Sequence, residues 1–86
     1  MTQALYLIFT EAGFAEAKTA VMEEKALLWI NPDVLDDTEL KELNNAQITV
    51  KILDDWVKPG DEKATLTIIN QIEKNIKNVS ILVEYL

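Results

Sequence analysis

The chain has 86 residues, 15 of them Asp or Glu and 8 of them Lys, and its net charge is −7. It contains no histidine, cysteine or arginine. Those absences exclude disulfides, thiolate nucleophiles, the usual zinc ligands and bidentate arginine clamps for phosphate. With 49% hydrophobic and 27% charged residues, the composition is typical of a folded globule. The length predicts a single domain spanning residues 1–86.

The first half of the chain predicts two strands, each followed by a helix. The elements are, in chain order, a strand at 4–9, a helix at 12–24, a strand at 26–30 and a helix at 36–44. Both strands are continuous apolar runs, which is typical of strands buried on both faces of a sheet. Thr10 or Glu11 is expected to cap the first helix, and Trp29 is expected to lie in the core.

The second half of the chain predicts a strand, a helix and a final strand. They span residues 48–53, 62–77 and 79–86. In both strands apolar residues alternate with polar ones, as in half-buried strands. Asp61 directly precedes the helix and is expected to cap it.

The predicted order βαβαβαβ favours a small three-layer α/β domain with a four-stranded, mainly parallel sheet. Continuous runs in the first two strands and alternation in the last two place the former in the centre and the latter at the edges. We therefore favour the strand order 3-2-1-4. The alternative is a ferredoxin-like βαββαβ sheet in which residues 31–47 form a long connection.

Polar residues follow three of the predicted strands, and those after the second are Asn31 and Asp33. Glu11 comes after the first strand, and Asp54 and Asp55 come after the third. Ligands of open parallel sheets bind beyond the carboxyl ends of the strands, and magnesium prefers carboxylate oxygens. Glu11, Asp54 and Asp55 are therefore the candidate metal ligands. Helix capping and solvation explain the same acids without a metal, and we favour that interpretation.

The placement of these acids resembles the arrangement in Toprim domains, the metal-binding modules of primases and topoisomerases. There, a glutamate follows the first strand and aspartates follow the third, as Glu11 and Asp54-Asp55 do here. The resemblance implies a magnesium-dependent phosphoryl-transfer or nuclease-like enzyme. This chain departs from the family pattern, because Ala12 stands where glycine usually follows the glutamate and the two aspartates are adjacent.

Three residues are candidates for contacts with a partner. Trp56 lies in the acidic loop after the third strand, where it either anchors a partner or, as we favour, folds back over the core. Tyr85 and Leu86 end the last strand, an apolar edge strand with Glu84 as its one charge. Apolar edges are templates for pairing with another chain, so we expect a homodimer.

The limited catalytic inventory and the acidic charge favour a non-enzymatic protein-interaction or regulatory module, without a cofactor. The alternative is the magnesium-dependent enzyme described above. A net charge of −7 argues against direct binding to nucleic acid or to an anionic membrane. The longest apolar run, Ala4 to Phe9, is far shorter than the ~20 residues of a membrane helix, so we expect a cytoplasmic protein.

Overall fold

The structure, a computed structural model, describes residues 3–84. Its elements are β1 (Gln3–Ile8), α1 (Glu11–Glu24), β2 (Leu27–Ile30), α2 (Asp37–Asn45), β3 (Val50–Ile52), α3 (Glu62–Asn75) and β4 (Val79–Val83). Every predicted helix and strand is present. The third strand and the last helix are shorter than the sequence pattern predicts.

The four strands form one parallel sheet in the order β3-β2-β1-β4. The predicted three-layer βαβαβαβ topology is confirmed, and the ferredoxin-like alternative is wrong because it requires antiparallel pairs. In the centre of the sheet, Leu5 of β1 lies opposite Leu27 on one side and Ile81 on the other. The chain proceeds from β1 outward to β3 and then returns to place β4 on the other side of β1. This reversal of direction creates a topological switch point between β1 and β4.

Helices cover both faces of the sheet, and each face has its own hydrophobic cluster. The first cluster joins α1 and α2 to one face and contains Ile8, Phe14, Val21, Leu28, Ile30, Val34, Leu43 and Ile48. The second joins α3 to the other face and contains Leu5, Leu7, Phe9, Leu53, Val57, Ile68 and Ile72. Crossovers between parallel strands are right-handed, so connections that run in opposite directions across a sheet lie on opposite faces.

Burial along the strands follows their position in the sheet. In central β1, consecutive residues Leu7 and Ile8 are both buried and belong to different clusters. At the edges, Ile52 of β3 is 38% exposed and Leu82 of β4 is 44% exposed. Trp29 is partly buried against the second cluster, as expected for a core residue. The pattern of apolar residues therefore distinguishes central from edge strands correctly.

Each helix begins with a side-chain cap. Thr10, Asp36 and Asp61 accept hydrogen bonds from backbone N–H groups of the first helical turn at distances between 2.7 and 3.1 Å. These bonds satisfy backbone donors that have no partner within the helix. Between residues 3 and 84, no helix is both long enough and apolar enough to cross a membrane.

Candidate functional site

The carboxyl ends of the four strands lie along one edge of the sheet, and the segments that follow them are the places to look for a site. The segment after β1 leads into α1 through Thr10, the segment after β2 begins with Asn31, and the segment after β3 spans residues 53–61. Glu84 directly follows β4. The four segments differ in how many of their polar side chains form hydrogen bonds within the protein and how many are exposed to solvent.

The switch point between β1 and β4 is occupied by the side chain of Glu84. Its carboxylate accepts hydrogen bonds from the backbone N–H groups of Phe9, at 2.7 Å, and of Thr10, at 3.0 Å. The Thr10 hydroxyl donates a further hydrogen bond to it. A carboxylate at the N-terminus of α1 also interacts favourably with the helix dipole. An internal anion therefore occupies the place where this architecture commonly binds anionic ligands.

Gly13, in the first turn of α1, makes room for this carboxylate. It is buried, and a methyl group at position 13 would lie 2.1 Å from the Cδ atom of Glu84 and 2.2 and 2.5 Å from its oxygens. Those distances are far below van der Waals contact. An alanine at this position would therefore force the Glu84 carboxylate to move from its place.

The segments after β1, β2 and β3 are tied together by the amide group of Asn31. This side chain is fully buried. Its nitrogen donates to the carbonyl oxygens of Phe9, at 3.1 Å, and of Val57, at 2.7 Å, while its oxygen accepts from the Val57 N–H at 2.8 Å. The amide thus forms the hydrogen bonds that three backbone groups of two other segments would otherwise form with water. Asn31 holds the chain next to Trp56 in a defined position.

The three predicted metal ligands lie in two separate places. Glu11 is the first residue of α1 and lines a cavity of about 400 Å³ together with residues of the segment after β2 and of α2. Asp54 and Asp55 line a different cavity, between the segment after β3 and α3. All three are exposed. The structure therefore brings Asp54 and Asp55 together but does not bring Glu11 to them.

The candidate metal site stays a prediction. In the part of the chain that the structure describes, no three Asp or Glu residues are placed to hold a metal ion. Strand β2 lies between the ends of β1 and β3 and separates Glu11 from the two aspartates.

Trp56 lies at the cavity that Asp54 and Asp55 share with α3. The cavity has a volume of about 420 Å³, and its apolar floor includes Leu53, Val57 and Ile68. Trp56 is 58% exposed, so the expectation that it folds back over the core is wrong. Because Leu53 and Val57 on either side of it are buried in the second cluster, the core is complete without the indole ring.

The charges around this cavity are mainly negative. Among the described residues, Asp54, Asp55 and Asp61 line it, against Lys58 as the one cation. We refer to Asp54, Asp55, Trp56, Lys58 and Asp61, with Thr67 and Gln71 of α3, as the Trp56 surface. It combines an exposed aromatic ring with an acidic rim.

Two further candidate residues, Tyr85 and Leu86, lie outside the residues that the structure describes. Two residues organise the site: Asn31, which the sequence places on this rim without a role, and Glu84, which the sequence places in the last strand. A weak signal existed for each of them. Asn31 is a polar residue directly after a buried apolar run, and Glu84 is the one charge in an apolar C-terminal segment.

Comparisons with family models, with curated proteins and with solved structures find no match to this chain. Its function must therefore be inferred from the geometry and chemistry of its own residues.

Proposed function

We propose that this chain is a non-enzymatic protein-interaction or regulatory module that binds a protein partner through the Trp56 surface. The observation that carries the proposal is the 58% exposure of Trp56 over a cavity of about 420 Å³. Tryptophan is enriched among the residues that dominate binding energy, and such residues pack into or beside pockets. A ring that stays exposed gains little burial free energy on folding, and a partner that covers it would supply that gain.

The backbone that carries Trp56 is anchored on both sides before any partner arrives. Buried Leu53 and Val57 fix the chain on both sides of residues 54–56, and Asn31 binds both backbone groups of Val57. Binding to a preorganised loop avoids the entropy cost of ordering it. This anchoring supports a recognition role for the loop.

The charges of the Trp56 surface indicate the chemistry of the partner. Three aspartates against one lysine, in a chain of net charge −7, favour a basic segment. A lysine or arginine side chain can also lie over the face of the exposed indole ring and gain cation–π energy. We therefore expect the partner segment to combine lysine or arginine with an apolar residue that enters the cavity.

A peptide selection tests this proposal. Random peptides displayed on phage are selected on the immobilised chain, and the enriched sequences are synthesised and titrated by calorimetry. We expect basic sequences with an apolar residue, and we expect Trp56→Ala to weaken their binding by at least about tenfold, as for an interface hot spot.

Leu66→Ala is the matched control, because Leu66 is a large apolar residue that is 50% exposed on α3 and does not line the cavity. It should leave the affinity unchanged. Failure to enrich any basic sequence, or equal affinity for the wild type and Trp56→Ala, would contradict the proposal.

Titration with magnesium, followed by NMR, tests the alternative function, a metal-dependent enzyme. Shifts confined to Glu11, Asp54 and Asp55 would favour a metal-dependent enzyme instead.

We also propose that the chain forms a homodimer, through a surface distinct from the Trp56 surface. β4 forms the opposite edge of the sheet from β3, which precedes Trp56. Both contacts can therefore form at once on one molecule. The expected location remains the cytoplasm, where a small acidic module of this composition has access to basic protein partners.

A further inference from the structure

The outer edge of β4 presents a regular set of backbone hydrogen-bonding groups. On its inner side, the carbonyl oxygen of Asn78 accepts from Gln3 at 2.9 Å, and the N–H of Glu84 donates to Leu7 at 3.0 Å. Bonding direction alternates along a strand, so the even-numbered residues of this segment bond to β1. The N–H and C=O groups of Val79, Ile81 and Val83 consequently point away from the sheet. Within residues 3–84, no strand lies on that side.

Nothing in the composition of β4 protects this edge. Its five residues, Val79–Val83, contain no charge and no proline. Natural proteins usually blunt an edge strand with lysine, proline, a bulge or a very short length. The opposite edge follows that rule, because β3 has three residues and Lys51 is the central one. The contrast indicates that the β4 edge is used for pairing.

The side chains of the outward-pointing residues are also incompletely covered. Val79, Ile81 and Val83 are partly buried, and they pack against the cluster beneath α3. On α3, the residues that line the Trp56 cavity occupy one flank, and with 3.6 residues per turn Leu66 falls on the other flank. Leu66 is 50% exposed. The β4 side of this face therefore has apolar surface left to bury.

We propose that β4 pairs antiparallel with β4 of a second copy of this chain, about a twofold axis that passes through Ile81. Ile81 then lies opposite Ile81 of the second copy, and Val79 lies opposite Val83. Each of these pairs exchanges both N–H···O bonds, as hydrogen-bonded pairs of antiparallel strands do. The two sheets join into one continuous sheet. This inference deepens the homodimer proposed above and rests on it.

The outward-pointing set itself favours a second copy over a foreign strand. Val79 and Val83 lie two residues before and two residues after Ile81. The outward-pointing residues are therefore Val, Ile, Val in either chain direction. A twofold axis requires this self-complementarity, since the same patch must serve both subunits. Each β-branched side chain then faces another β-branched side chain across the strand pair, which stabilises the pairing.

The size and charge of this contact predict its strength. One pair of five-residue strands buries less than the ~1,200 Å² of a standard stable interface, so the dimer should be weak and form at micromolar concentrations. Each copy carries a charge of −7, and the resulting repulsion is screened by salt. The dimer should therefore tighten as the ionic strength rises.

Cross-linking between two single-cysteine variants tests the register, because the natural chain has no cysteine. With the axis at Ile81, Ser80 lies opposite Leu82 of the second copy in a non-hydrogen-bonded pair. The two Cα atoms are then ~4.5 Å apart, within disulfide range. A mixture of Ser80→Cys and Leu82→Cys should form a disulfide-linked dimer under mild oxidation. In a dimer of either variant alone, the Cα atoms of the two cysteines, one from each copy, are ~8 Å apart, which is too far for a disulfide.

A mixture of Ser80→Cys with Ile52→Cys is the control, since Ile52 lies on the β3 edge. It should remain uncross-linked. Equal yields in the two mixtures, or efficient cross-linking of Leu82→Cys with itself, would overturn the proposed register.

Sedimentation equilibrium tests whether the β4 edge is the contact, using two matched charge variants. Leu82→Glu adds a negative charge to each β4, close to the axis, at a side chain that is 44% exposed. It should weaken dimerisation about tenfold, through like charges on adjacent strands. Ile52→Glu adds the same charge to β3, at a side chain that is 38% exposed, and should leave the dimer unchanged. Circular dichroism verifies that both variants fold.

The possible failures are distinguishable. A wild-type chain that remains monomeric at high micromolar concentration and high salt would overturn the homodimer and this register together. A dimer that forms but cross-links in another register, or that Ile52→Glu weakens as much as Leu82→Glu, would overturn only the pairing at Ile81. Peptide binding at the Trp56 surface is measured separately and depends on neither result.

Discussion

The two edges of the sheet use the same kind of element in different ways. β3 is short, carries Lys51 at its centre and leads into a loop that displays Trp56. β4 is longer and uncharged, and it leads into Glu84, which turns back onto α1. The β3 edge thus presents side chains, and the β4 edge presents backbone. Side chains can discriminate among foreign partners, whereas an open strand edge is most readily satisfied by another strand.

Near each edge of the sheet, one polar side chain connects segments at the carboxyl ends of the strands, and these two side chains differ as well. Behind β3, Asn31 is buried and binds three backbone groups of other segments. Behind β4, Glu84 is half-buried and binds the start of α1. Substitutions that remove the hydrogen bonds of Asn31 or of Glu84 measure how much each contributes to the free energy of unfolding.

The largest effect is expected for Asn31→Ala. The substitution leaves the Val57 N–H and the carbonyl oxygens of Phe9 and Val57 without their partner. Buried unsatisfied groups cost ~1–3 kcal/mol each, and part of that cost is recovered by entering water, so we expect a loss of about 3 kcal/mol in the free energy of unfolding. Urea denaturation followed by circular dichroism measures it.

Asn31→Asp is the companion variant, because it keeps an acceptor for the Val57 N–H but loses the donor. It should also be strongly destabilised, since it places a carboxylate beside two carbonyl oxygens. If both variants unfold at the wild-type urea concentration, Asn31 does not hold the Trp56 loop in place.

An intermediate effect is expected for Gly13→Ala, at the β4 edge. The new methyl group would displace the Glu84 carboxylate and break its hydrogen bonds to Phe9 and Thr10. We expect a loss of about 2 kcal/mol in the free energy of unfolding, since hydrogen bonds to charged groups contribute ~1.5–3 kcal/mol each and the displaced carboxylate can reach water.

A double-mutant cycle isolates the cause of that loss. In a Glu84→Ala background the methyl group meets no carboxylate, so Gly13→Ala should be neutral or stabilise the chain by ~0.5–1 kcal/mol, as alanine does relative to glycine within a helix. A loss of the same size in both backgrounds would show that Gly13 is required for a reason other than Glu84.

The smallest effect is expected for Tyr6→Phe. Tyr6 is in β1 and lies opposite Leu82 of β4. The Tyr6 hydroxyl donates to Glu24 at 3.1 Å in an exposed position, so its loss should cost less than about 0.5 kcal/mol. Burial, and then the hydrogen bond and charge of Glu24, raise the pKa of the Tyr6 hydroxyl.

The raised pKa of Tyr6 gives this variant a signature at alkaline pH. The folded chain holds the phenol proton more tightly than the unfolded chain, so the contribution is fully present below the unfolded pKa of ~10 and is lost as pH rises through the folded pKa. The wild type should therefore lose its small advantage over Tyr6→Phe above pH ~10. An advantage that grows with pH there would contradict the assignment.

Much of the fold follows from patterns local to each strand. The continuous apolar runs at 4–9 and 26–30 predict central strands, and the structure places β1 and β2 there. The alternation in the last two strands predicts edges, and β3 and β4 are edges. Such predictions succeed because the environment on both faces of a strand determines which residues it can carry.

The candidate site was less predictable, because its contacts join residues far apart in the chain. Glu84 is 75 residues from Phe9, its backbone donor, and no spacing in the sequence indicates that pair. A glycine within a predicted helix is a weak sign of close approach, and Gly13 is such a residue. The exposure of Trp56 depends on whether Leu53 and Val57 complete the core without it, which is a property of packing.

Composition alone gives the acidic charge and the chemistry that is absent, and the apolar periodicity favours the strand order that the structure has, because these patterns report directly on solvation and burial. Three features come from tertiary packing: Glu84 occupies the switch point, Glu11 lies apart from Asp54 and Asp55, and Trp56 faces solvent. These features depend on how four strand ends meet at one edge of the sheet. That meeting is set by long-range packing and hydrogen bonds, which no local pattern encodes.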